Sequence, residues 1–85
     1  MNDHLTTLKI LVDLSKADAS SSDLCLAHEV SIATLKRFIA EARHMGALVE
    51  SRKVGASWFY HLANWPQIRK TVTAWMSLEE ARTFL

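Results

Sequence analysis

The sequence predicts a mainly α domain that carries one small β-hairpin, with a further helix after it. Three observations lead there. Apolar residues recur at helical spacing near the start, at Leu5, Leu8, Leu11, Val12 and Leu14, and again at Leu35, Phe38, Ile39, Ala42 and Met45. After Gly46 the texture changes to extended-type runs rich in Val, Trp, Phe and Tyr around a Gly55-Ala56 pair. Asn64-Trp65-Pro66 then opens a last helical pattern, since proline is tolerated in a first turn and asparagine caps well. With 85 residues, 49% of them apolar and 22% charged, and with two Gly and one Pro, the chain has the composition of one globular domain. So short a chain builds a modest core, which makes oligomerisation a natural source of added stability.

Each element has its own local cause. The first helix spans about residues 3–16, with Thr7, Lys9 and Asp13 mainly on the side away from its leucines. The stretch from Asp18 to Ser22 is rich in cap formers. Ser22 before Asp23-Leu24 predicts a short second helix over about residues 23–29, with Asp23 at the positive end of its dipole. Ser31 caps a third helix that runs to about Met45 and ends at Gly46, where the chain can turn left-handed. On a helical wheel its apolar residues share one arc, while Ala33, Lys36, Arg37, Ala40 and His44 lie opposite. The hairpin pairs residues 48–52 with 57–62, and alternation sends Trp58, Tyr60 and Leu62 to the core and Phe59 and His61 outward. In the last helix Trp65, Ile68, Val72, Trp75 and Met76 form an apolar stripe. Ser77, with Glu80 three positions on, has the form of a capping box, which starts either a short final helix or another turn of the same one.

The overall charge of +1 hides an uneven distribution. Residues 1–30 set Lys9 and Lys16 against Asp3, Asp13, Asp18, Asp23 and Glu29, a balance of −3. Residues 31–56 set Lys36, Arg37, Arg43, Arg52 and Lys53 against Glu41 and Glu50, a balance of +3, and the remainder stands at +1. A basic middle beside an acidic start suits an anionic partner on one face.

Helix, helix, turn, helix and hairpin is the element order of a winged helix-turn-helix, in which the third helix enters the major groove and the hairpin touches flanking backbone. The basic segment coincides with that helix and hairpin. Three stretches carry a resemblance to a known family: the residues from Asp23 to Ser31 and then Ile32-Ala33-Thr34-Leu35-Lys36-Arg37, Met45-Gly46-Ala47 at the end of the third helix, and Tyr60-His61-Leu62 at the hairpin's return. Over residues 5–62 the chain resembles the winged-helix module of the DeoR-like family, particularly the amino-terminal domain of WYL-domain transcription regulators. The resemblance implies that Ser31, Thr34 and Arg37 face DNA and that Tyr60 and Leu62 anchor the wing. It also implies that residues 77–85 correspond to the join with a ligand-sensing domain, so that the chain is either a small stand-alone regulator or one that has lost its sensor. The chain departs from the family pattern at Ala33, where arginine is frequent, at Phe38, where aspartate is usual, and at His28, where leucine is common. It also departs at Glu29, where glycine usually supplies a positive φ.

The expected DNA-binding residues are Ser31, Ala33, Thr34, Lys36, Arg37, Ala40, Arg43, His44, Arg52 and Lys53. The cations meet phosphates, while Thr34, Ala40 and His44 are placed to reach base edges. The expected dimer interface is Trp65, Ile68, Val72, Trp75 and Met76, extended by Leu78, Phe84 and Leu85, because a single small module rarely reaches operator affinity alone. The sequence reading is therefore a sequence-specific bacterial or phage regulator that binds a palindromic operator as a homodimer and blocks or recruits polymerase. The alternative is a winged-helix module of the phage-inhibitor kind, whose basic face meets a protein. No nucleophile elbow, phosphate loop or paired-carboxylate motif argues for an enzyme. Cys25 and His28, three apart, would be half a metal site without a second pair, so a small buried thiol is the favoured reading of Cys25 and no cofactor or effector is expected. One cysteine, no apolar run of about 20 residues and no basic leader before an apolar stretch make the cytoplasm the expected compartment.

Overall fold

The computed structural model describes residues 4–83, and the side chains up to residue 81. Its elements are α1 (His4–Lys16), β1 (Ala19–Ser20), α2 (Ser21–His28), α3 (Ile32–His44), β2 (Val49–Val54), β3 (Ser57–Leu62) and α4 (Trp65–Thr83). Four helices and a small antiparallel sheet make a mainly α fold, and the helix, strand, helix, helix, hairpin order is compatible with a winged helix followed by one additional helix. None of the described helices is long and apolar enough to cross a membrane.

The leucines of α1 form the centre of the core. Leu8, Leu11 and Leu14 are buried with Leu24 of α2, Leu35 and Ile39 of α3, Tyr60 and Leu62 of β3, and Val72 of α4. Thr7 and Ile10 are buried as well. The polar atoms inside are satisfied: among the described residues no buried side-chain nitrogen or oxygen lacks a partner.

The second helix begins earlier than the cap formers suggest. Ser20, not Ser22, is its N-cap, its Oγ accepting from the Asp23 N–H at 3.0 Å. That serine sits in a two-residue strand absent from the sequence reading, with Ala19 opposite Tyr60 and Ser20 opposite Phe59, so that the sheet order is β1-β3-β2. Two residues carry too little periodicity to read as a strand. Only pairing with β3 makes them one.

The helices α2 and α3 end in the same way. Val30 N–H reaches back to Cys25 O at 3.0 Å after α2, and Ala47 N–H to Ala42 O at 3.1 Å after α3. This is the six-to-one bond of a Schellman ending, whose left-handed position is usually glycine. After α3 it is Gly46 at φ 103°, and after α2 it is Glu29 at φ 54° and ψ 49°.

Two expectations about the apolar faces are corrected. Tyr60 and Leu62 are buried as expected, but Trp58 on the same face of β3 is 47% exposed. Trp58 lies two residues nearer the hairpin turn than Tyr60, past the part of β3 that the core encloses. The stripe on the last helix, expected as a dimer interface, is largely this chain's own core. Val72 is 2% exposed, and Trp65, Ile68 and Met76 pack against the core, where α4 lies along α1. Only Trp75, at 46% exposure, stays open, with Leu78 beyond it. Phe84 and Leu85, named as extensions of that face, lie outside the described residues. Ser77 and Glu80 lie inside one continuous α4 and start no new helix.

Asn64 does more than precede that helix. Its Oδ1 accepts from the Leu48 N–H at 2.8 Å and its Nδ2 donates to Gly46 O at 2.9 Å. One amide thereby ties the entrance of α4 to the turn between α3 and β2.

Candidate nucleic-acid interface

The third helix is the element on which the sequence reading rests. Ser31 caps it as expected: its Oγ accepts from the Thr34 N–H at 3.2 Å and donates to Thr34 Oγ1 at 3.0 Å. The hydroxyls of Ser31 and Thr34 are thus engaged with each other at the helix start. Leu35, Ile39 and Ala42 are buried, with Phe38 and Met45 partly so. Ala33, Lys36, Arg37, Ala40 and His44 are all exposed.

The helix carries one carboxylate, Glu41, at the flank of this exposed face. Glu41 is bonded to His4 Nδ1 through Oε1 and accepts from Thr7 Oγ1 at 3.1 Å through Oε2, both partners belonging to α1. Lys36 and Arg37 have the small Ala33 and Ala40 as neighbours on that face, and Glu41, one turn on from Arg37, is engaged by α1 and not by either cation. Neither forms an ion pair with a described residue, and the same holds for Arg52 and Lys53.

Arg43 is different from the other cations. Its Nε and Nη2 both donate to Val49 O, at 3.1 and 2.8 Å, which clamps the end of α3 to the first residue of β2. Two of its donors serve the fold, so its removal acts on stability as well as on any ligand.

The pleat separates the two hairpin cations. Lys53 lies opposite Trp58, and Ser51 opposite Tyr60, on the face turned towards α3; Arg52 lies opposite Phe59, and Glu50 opposite His61, on the reverse face. Arg52 thus shares its surroundings with Asp18 and Glu50, where His61 Nδ1 meets Asp18 Oδ1 at 2.7 Å. Lys53 shares none of those acids. Between α3 and the Lys53 face of the hairpin runs an open groove of about 460 Å³, lined by Ile32, Lys36, Ile39, Arg43, Trp58 and Tyr60 with two serines. The sequence reading missed Ile32 and Trp58 as surface residues of this region. The parity of Lys53 and Trp58 across the hairpin was the available signal.

Cys25 packs against the core, and His28 Nε2 lies 2.8 Å from Asp13 Oδ2. Among the described residues no three His, Cys, Asp or Glu side chains are arranged to hold a metal ion. Comparison with protein-family models, with curated proteins and with solved structures finds no match for this chain.

Proposed function

We propose that this chain is a duplex-DNA-binding module that lays the exposed face of α3 in the major groove and rests the hairpin on flanking backbone. One observation carries the reading: α1 engages Glu41, the single carboxylate of α3, which leaves Lys36 and Arg37 unpaired on an exposed face with Ala33, Ala40 and His44. Lys36 and Arg37 are the phosphate contacts, and Ala40 is small enough to let the helix approach base edges or a thymine methyl. The resemblance over residues 5–62 to the DeoR-like winged helix of WYL-domain regulators supports a role in transcription control. Dimerisation on a palindromic operator belongs to the same proposal, now with Trp75 and Leu78 as the open apolar residues of α4.

The test is a selection of genomic fragments with the purified chain, followed by titrations of the selected duplex across salt. Lys36→Ala and Arg37→Ala each reduce the salt slope by about one unit per protomer and leave the melting temperature unchanged. Equal binding by the wild type and the double variant at low and high salt refutes the proposal.

A further inference from the structure

The groove between α3 and the hairpin offers something a duplex does not need. Two large apolar side chains are left in water beside it, Trp58 at 47% exposure and Ile32 at 46%, above a floor made by Ile39 and Tyr60. Two cations of the helix line it, Lys36 and Arg43, and on the hairpin side Lys53 stands directly opposite Trp58 in the ladder. No carboxylate lines it. An exposed indole with unpaired ammonium groups nearby is the combination by which unpaired nucleic acid is held, the base stacking on the ring and the phosphates meeting the cations. The volume of about 460 Å³ lies within the range of small-ligand sites, room for a nucleotide unit and not for a double helix.

We infer that this groove is a binding site for an unpaired nucleotide of single-stranded DNA or RNA, with its base on Trp58 and its phosphates between Lys36 and Lys53. The acid-free rim favours this occupant over an acidic amphipathic peptide because the aromatic face and the charges lie side by side, where a base and its phosphates do. The site adjoins the duplex face, shares Lys36 with it, and does not depend on an operator. Base stacking tolerates sequence, so a generic strand is a sufficient probe.

The experiment measures fluorescence anisotropy of a labelled oligothymidylate of about eight nucleotides against the full chain, beside the selected duplex and a labelled Glu/Leu-rich amphipathic peptide. Trp58→Ala is expected to weaken the single strand by about 5- to 150-fold, and Trp58→Phe to recover most of that loss. Lys53→Ala weakens the single strand and lowers its salt slope by about 0.7 unit. Arg37→Ala, outside the groove, leaves the single strand unchanged while weakening the duplex. Equal oligothymidylate binding by wild type and Trp58→Ala, or no binding at all, overturns the inference and leaves the duplex proposal standing. Single-strand binding that depends on Trp58 with no duplex binding does the reverse. Trp58-dependent binding of the peptide alone assigns the groove to a protein and overturns the nucleotide reading.

Discussion

Glu29 is held in a backbone conformation that glycine adopts far more easily, and replacing it is a direct measure of what that conformation costs. At φ 54° and ψ 49° it occupies the left-handed position of the ending of α2, and its side chain is exposed. For a residue with a Cβ this region costs roughly 1–2 kcal/mol. Glu29→Gly removes that cost but gives the unfolded chain more freedom, which returns about 0.4–1 kcal/mol. The expected net gain is about 0.5–1 kcal/mol, a rise in melting temperature of about 2–8 °C for a domain of this size. A second contribution has to be separated, because a carboxylate at the end of a helix also opposes its dipole. Glu29→Ala removes the charge and keeps the Cβ, so it is expected to gain no more than about 0.5 kcal/mol. Urea unfolding at constant pH, with equal slopes for the three proteins, provides the comparison. A Glu29→Gly protein no more stable than Glu29→Ala would refute the backbone argument and assign the cost of Glu29 to its charge. The measurement bears on function too, since this turn sets the angle between α2 and α3.

Three further outcomes are expected. Val72→Ala removes two methyl groups from a fully packed site on α4 and lowers stability by about 2–3 kcal/mol in urea unfolding, whereas Trp75→Ala costs under about 1 kcal/mol; the opposite order would put Trp75 in the core. Asn64→Ala loses both bonds to the turn after α3 and costs about 1–2 kcal/mol by thermal melting, while Asn64→Asp, which keeps the acceptor for Leu48, loses roughly half of that. Arg43→Ala lowers both the melting temperature and any DNA affinity, in contrast to Arg37→Ala, which lowers affinity alone; an unchanged melting temperature would show that the donors to Val49 O contribute nothing to stability.

Much of the third helix was legible in the chain itself. Ser31 as cap, Gly46 as terminator and the division between Leu35, Ile39 and Ala42 on one side and Ala33, Lys36, Arg37 and Ala40 on the other follow from local rules, and the structure has all of them. Glu41 was not legible in this way. Its place near the basic face looked like a reduction of the positive charge, and only the approach of His4 and Thr7, more than 30 positions away, draws it off. Arg43 likewise reads as one more cation until Val49 O is found beside it.

By itself the sequence determined the four helices and the hairpin, their order and which residues share a face, though not β1, because helical and strand periodicity are properties of neighbouring residues. It carried the hairpin, the basic segment and the apolar stripe of the last helix. Only the tertiary structure decided what those faces meet. Periodicity places Trp58 with Tyr60 and Leu62 but does not say that the core ends before Trp58 is reached. It groups Val72 with Trp75 but does not say that α1 covers the first and leaves the second open. It sets Arg52 beside Lys53, and the pleat together with the position of α3 sends one towards Asp18 and Glu50 and the other towards the groove. Burial is a relation between segments distant in sequence, so no local pattern can contain it.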